Sequence, residues 1–292
     1  MKKGIFLIIC LFFLILPSEV ESLEYHKLYN LKEGMNADEI MKTVYHNKYS
    51  LFCKDITLKG KVIYIDSPNF FRKRKYIKYR MISGKDGIAY KEITTFTYPT
   101  EVKGLSLLVW SYESPQKKQD VWLWVPSLKK VRKISASQND DAFMGSDFTV
   151  EEVSTRKFED ETYSLIGEKS FAGYKSKYTD EDFFKGRSCF VIEAVPKKKN
   201  WYYAKRIIWV DKETGGNIYE EYYDRKGRLF KTIFRKWELL DVGDKKYPTQ
   251  TTLEVTNLIS KHSTVILMDN IRYDQNLSSG LFTVKTLMRS RW

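Results

Sequence analysis

Two hydrophobic periods divide this chain. Between Asn36 and Tyr49 the apolar residues Ile40, Met41, Val44 and Tyr45 fall at helical spacing. Asn36, with Glu39 three residues later, forms a capping-box signature, so the pattern predicts an amphipathic helix ending near Tyr49. From Leu51 onward the period drops to two. Residues 55–65 and 70–82 read as long strands joined by a turn at Ser67-Pro68-Asn69, with Tyr76, Lys78 and Arg80 alternating against Ile77, Tyr79 and Met81.

Residues 105–112 and 121–125 are two aromatic-rich runs separated by the polar break Ser114-Pro115-Gln116-Lys117-Lys118-Gln119, which is a hairpin signal. Alternation puts Leu108, Trp110 and Tyr112 on one face and Leu107 and Val109 on the other. Both faces are apolar, so both need cover from a core, a helix or a ligand. Turn chemistry recurs at residues 83–87, 212–217, 224–227 and 241–244 between β-rich runs. Residues 135–185 are the least strand-like, with Asp140-Asp141, Gly145, Gly167 and Gly173, and are expected to cross an open sheet face as loops and short helices. The sum is a mainly β, α+β fold: an antiparallel meander with few helices and a lid.

Residues 1–22 read as a secretory signal peptide. Lys2 and Lys3 start it, residues 5–16 form its apolar run, and cleavage is expected after Ser22. That run is shorter than the roughly 20 residues of a membrane span. Cys10 lies inside it behind Ile8-Ile9, without the small residues that precede a lipid-attachment cysteine. Residues 23–292 show no internal repeat or low-complexity linker and read as one large domain, exported to the periplasm. The formal charge is +13, and the leader's two lysines and two glutamates cancel, so export leaves it unchanged. A basic surface in the envelope favours anionic lipid headgroups or acidic partners over nucleic acid. The runs Arg72-Lys73-Arg74-Lys75 and Lys197-Lys198-Lys199 fall at turns and suit either a solvated loop or a rim touching headgroups. Cys53 and Cys189 remain after cleavage, each in a strand-like apolar context that suits a buried thiol as well as a disulfide.

Enzymatic signatures are missing from the sequence. There is no Gly-x-Ser-x-Gly elbow, His-Glu-x-x-His, phosphate loop or Cys-x-x-Cys. His26, His46 and His262 are isolated, and the carboxylate clusters at 140–141, 151–152 and 180–182 read as solvated faces or helix starts. No catalytic residue, metal site or cofactor is assigned. What remains is aromatic surface: 15% of residues are Phe, Trp or Tyr. Trp110, Trp122, Trp124 and Trp209 read equally well as ordinary β core and as lining of a cavity inside a curved sheet. Gly145-Ser146-Asp147 reads as a tight turn, and also as a gate flanked by Phe143, Met144 and Phe148.

Residues 121–134, Phe143-Met144-Gly145-Ser146-Asp147-Phe148-Thr149, residues 186–193 and Ile208-Trp209-Val210-Asp211 together resemble the outer-membrane lipoprotein-sorting protein family, over about residues 90–283. Val150 departs from the aromatic residue common in that family. The resemblance implies a half-open, strongly curved antiparallel β-barrel whose concave face is plugged by helices and loops. It implies a non-enzymatic periplasmic carrier that takes a lipid or a lipoprotein acyl chain from an inner-membrane transporter, with transient membrane-surface contact. A sensor of envelope lipids acting on a membrane-protein partner is the alternative on the same scaffold. Under the resemblance the lipid-binding candidates are Leu108, Trp110, Trp122, Trp124, Phe143, Met144, Phe148 and Trp209.

Overall fold

The computed structural model describes residues 24–67, 70–134 and 142–288. The expected signal peptide of residues 1–22 and Pro68-Asn69 of the first predicted turn lie outside those residues, as does 135–141. One helix, α1 (Ala37–Lys48), precedes a long meander. The first strands are β1 (Asp55–Ser67), β2 (Phe70–Lys85), β3 (Ile88–Tyr98), β4 (Ser106–Tyr112), β5 (Asp120–Val125), β6 (Lys130–Ile134) and β7 (Glu161–Ser170). A short hairpin, β8 (Tyr174–Lys175) and β9 (Asp182–Phe183), interrupts them. The rest are β10 (Ser188–Pro196), β11 (Lys205–Asp211), β12 (Asn217–Tyr223), β13 (Leu229–Val242), β14 (Lys245–Asn257) and β15 (Ser263–Tyr273), before the short helix α2 (Val284–Leu287).

Thirteen strands form one antiparallel sheet in the order β6-β5-β4-β3-β2-β1-β15-β14-β13-β12-β11-β10-β7, with β6 and β7 as its two unpaired edges. This is the curved, unclosed meander that the turn spacing predicted. The helix forms as its sequence dictates. The Asn36 side chain accepts from Glu39 N at 3.0 Å, and Asn36 N donates to the Glu39 carboxylate at 2.8 Å, closing the capping box. Ile40, Met41 and Val44 then bury against Phe190, Ile192 and Ala194 of β10 and Ile208 and Val210 of β11.

The predicted lid needs one correction. Residues 143–145, 151–155 and 158–160 do form short helical turns over the sheet, but 161–170 is a strand paired to β10. It escaped the hydrophobic pattern because it is an edge. Its Leu165 and Ile166 are exposed, and Gly167 sits at a register shift opposite β10.

Alternation gives the sheet two separately covered faces. On the inner face lies the main core, with Ile56, Val62 and Tyr64 of β1, Tyr76 and Ile82 of β2, Tyr90 and Phe96 of β3, and Tyr222, Ile233, Val255 and Ile266 from the far strands. Gly60 is required here: a Cβ on it would fall 2.0 Å from the Tyr76 ring that lies across the strand. The outer face carries two patches. Ile93, Leu108 and Trp124 are capped by Phe282 and Leu287 of the C-terminal segment. Trp209 and Tyr219 are capped by Phe171 and Tyr174, while Tyr174 also stacks on Phe234 at 4.3 Å.

Buried carboxylates hold both covers down. Asp55 accepts from Gln275 N at 2.8 Å and Leu277 N at 2.9 Å, and Glu254 accepts from Ser176 Oγ at 2.7 Å and Lys177 N at 2.8 Å. The two cysteines sit on different clusters as buried free thiols. Because Phe282 is fully buried on the tryptophan hairpin, Phe282→Ala is expected to cost roughly 3–5 kcal/mol in a urea titration. A loss under ~1 kcal/mol would show that the C-terminal cover is not part of the cooperative fold.

Candidate functional site

The inner face is covered by α1 and the loop that crosses before β7, and it is built around buried charge. Glu220 of β12 accepts from Arg206 at 2.8 Å, Arg235 at 2.5 Å and Tyr222 OH at 2.7 Å, and pairs with the Asn217 amide. Arg206 also binds Glu161 at 2.5 and 2.7 Å. Arg156, on the crossing loop, is fixed to Glu151 at 2.5 Å and donates to Tyr222 and Tyr202 hydroxyls at 3.0 and 3.1 Å. Its own carbonyl accepts from Tyr49 OH at the end of α1, at 2.8 Å. Lys231 reaches Glu152 at 3.2 Å. Helix, loop and sheet are thereby riveted together by paired charges, which a buried ion requires.

These ionic partners set the protonation states. Burial pushes the Glu161 carboxyl up, but Arg206 and Arg156 overcome it and hold it at about 2. Glu92 behaves alike: burial raises it, while Arg80 and Lys78 bring it down to about 2. Burial lowers Lys48, and the neighbouring Arg235 and Arg156 lower it further. Lys48, Arg156, Arg206 and Asn217 border a cavity of about 30 Å³ under α1, room for a single water. His46 is fully buried and burial brings its ring down to about 4. Among the described residues no group of three or more His, Cys, Asp or Glu is arranged to hold a metal. Arg156 with Glu151, Arg206 with Glu161 and Glu220, and Arg235 with Glu220 pair as a clamp between helix, loop and sheet.

At the sheet's first edge the inner face carries a second apolar surface. Since Leu108, Trp110, Trp122 and Trp124 belong to the outer patch, their neighbours Leu107, Val109, Val121 and Leu123 point inward. Leu107 pairs with Leu123 and Val109 with Val121, so the four form one contiguous apolar strip. All four are half-buried, as Trp110 and Trp122 are on the outer face, whereas Leu108 beside them is fully buried. Among the described residues the four belong to none of the packed hydrophobic clusters.

The predicted site residues divide into three groups. Leu108, Trp110, Trp122 and Trp124 lie on the outer face, where the Trp110 indole donates to Phe282 O at 3.1 Å and packs edge-on against Trp122. Trp209 lies on the second outer patch, far along the sheet. Only Phe143, Met144 and Phe148 meet on the inner face: Phe148 is fully buried in the main core, with Phe143 and Met144 packed against it. Their loop is held at both sides, as Met144 O accepts from Tyr64 OH at 3.2 Å and Arg74 at 3.0 Å, and Asp147 O from Lys231 at 3.0 Å. Met144 adopts φ 53° and Gly145 φ 73°, two consecutive left-handed residues and the first a costly one.

Sequence reasoning chose the larger side chains of the hairpin and so the other face. The signal it passed over was the apolar run Leu277, Leu281, Phe282, Val284, Leu287 at the C-terminus, which packs against the tryptophans of the hairpin.

A family model described as an uncharacterized protein matches residues 89–289. Solved structures are also similar. An outer membrane lipoprotein-sorting protein domain from Vibrio parahaemolyticus is 26% identical, covering 87% of this chain and 98% of that one, with a TM-score of 0.71. A DUF1329 family protein from Desulfovibrio piger is 28% identical over 84% of this chain and 99% of its own, with a TM-score of 0.68. A LolA superfamily protein from Nitrosomonas europaea shares the fold at 16% identity and a TM-score of 0.58, covering 86% of this chain and 99% of that one. No curated protein matches.

The clamp carries a pH dependence of definite sign. Glu161 and Glu92 sit at about 2, below their ordinary 4.5. Their contribution is therefore complete above about pH 4.5 and is lost as pH falls toward 2, amounting to about 3 kcal/mol for each carboxylate. Glu161→Gln is expected to be roughly 3–5 kcal/mol less stable at neutral pH and to lose less than the parent on acidification, read from urea midpoints. An acid loss equal to the parent's would remove Glu161 from the clamp.

Proposed function

The chain belongs to the family whose model spans residues 89–289; from that premise and from its likeness to an outer membrane lipoprotein-sorting protein domain, we propose that it is a periplasmic carrier of a lipid or a lipoprotein acyl chain. The observation that carries this reading is the half-buried apolar strip Leu107, Val109, Val121 and Leu123 on the inner face, which belongs to none of the packed hydrophobic clusters among the described residues. An acyl chain laid along it removes apolar surface from water at about 0.8 kcal/mol per methylene, so affinity needs no polar partner. Phe143, Met144 and Phe148 form the other wall in this reading. Their loop, strained at Met144, is the part that gives way as a chain enters. The tryptophans of the hairpin serve the same site indirectly, by fixing the strands whose inward side chains meet the ligand.

The reading is of a binder and shuttle, not an enzyme. In this reading the donor is an inner-membrane transporter and the destination is the outer membrane. A sensor of envelope lipids remains the rival on the same scaffold, and ligand transfer between vesicles separates the two.

Exchanging faces tests the site. Leu123→Asp is expected to weaken binding of a fluorescent fatty acid by about tenfold or more, equivalent to ~1.4 kcal/mol, with Tm little changed. Trp122→Ser is expected to lower Tm sharply, at roughly 3–5 kcal/mol for emptying a packed aromatic site, while the folded fraction still binds. The opposite pattern would put the ligand on the tryptophan face and overturn the assignment.

A further inference from the structure

Strand direction sorts the connections of the sheet into two ends. The turns after β1, β3, β5, β10, β12 and β14 lie together at one end, and those after β2, β4, β11 and β13 lie at the other with the 171–187 segment. The two ends differ in charge. At the first, residues 70–75, 99–105, 126–130, 196–204, 224–229 and 258–262 hold fourteen Lys and Arg against two acidic residues. At the second, residues 84–88, 113–119, 171–187, 212–216 and 242–246 hold ten against seven. The surplus charge of the chain is therefore concentrated at one rim.

The same rim displays apolar side chains at its hairpin tips. Ile259 is 75% exposed and Phe70 56%, and Phe71, Tyr98, Leu128 and Leu258 are exposed as well. Neighbouring tips are tied to one another: Leu258 N donates to Phe230 O, and Arg225 to the Asn200 side chain at 2.8 Å. A protein partner would ask for an apolar centre depleted of charge and ringed by polar groups. Here the apolar tips are separate and each is flanked by cations, as in Phe70-Phe71-Arg72-Lys73 and Leu258-Ile259-Ser260-Lys261. That interleaving fits the boundary of a bilayer, where aromatic and aliphatic tips enter the acyl region and Lys and Arg stay among anionic headgroups.

We propose that this rim is a membrane-docking surface, selective for anionic lipid bilayers, on which the protein stands with Phe70 and Phe71 of β2 and the β14–β15 hairpin tip inserted. The inference is independent of what the inner face binds. It does give that face an orientation, because Tyr64, Arg74 and Lys231, which hold the 143–148 loop, all lie near the ends of their strands at this rim. Docked in this way, the loop faces the lipid.

The test is sedimentation of the full chain with vesicles of phosphatidylcholine alone and of phosphatidylcholine mixed with phosphatidylglycerol. Binding is expected only to the mixed vesicles, weakening steeply once salt shortens the screening length below about 8 Å. Phe70→Ser with Ile259→Asp is expected to reduce it by about tenfold or more with Tm unchanged, and Lys198→Glu to reduce it several-fold. Lys117→Glu with Lys118→Glu, at the opposite end, is expected to leave it intact. Equal loss from that control pair, or no binding to mixed vesicles at low salt, would overturn the proposal. So would a polyanion such as polyglutamate binding as tightly and ignoring the change at Ile259, which would mark a charge-only surface.

Discussion

An open sheet is a demanding object to stabilise, because nothing in its hydrogen bonding covers its faces or ends its edges. In this chain the demand is met at Glu220. Buried in the sheet and bound by Arg206, Arg235, Tyr222 and Asn217, it is linked through Arg156 and Tyr222 to the crossing loop, and through Tyr49 to the end of α1. Remove any member, and the cost is that of an unpaired charge in a dry interior. The inner cover is thus attached at fixed points by directional contacts. It does not need to fill the whole face by hydrophobic packing, and the strip beside β4 and β5 can stay free.

The contrast between the two faces follows from how each cover is made. On the outer face Phe282, Leu287, Phe171 and Tyr174 spread over the strands as ordinary apolar packing, with Asp55 and Glu254 pinning the backbone. On the inner face the buried polar contacts run from Glu220 on β12 to Arg80 and Glu92 on β2 and β3. A rigid, dry outside and an incompletely covered inside are what a binding sheet needs. The ligand then replaces no essential core residue.

Much of this was legible in the sequence, and the limits have physical causes. The capping box at Asn36 and Glu39 and the hairpin of residues 105–125 are local, with partners within a few positions, so pattern alone recovers them. Which face of that hairpin is covered is decided by residues 277–287, far along the chain, and alternation cannot say where those return. Strand β7 failed for a different reason: as an edge it buries little, so its apolar pattern is weak. The buried arginines were invisible because Arg156, Arg206 and Arg235 look like any solvated cation until two strands and a loop bring Glu161, Glu220 and Glu151 to them.

The two free edges bear on how copies of the molecule behave toward one another. A closed barrel has no exposed strand to offer, whereas this sheet presents β6 at one margin, with backbone donors and acceptors free to extend a ladder. Lys130, Arg132 and Lys133 occupy that short strand, so two such margins meeting edge to edge would set cation against cation across a few ångströms. Like charge thereby guards this margin, one of the two where openness would otherwise invite polymerisation.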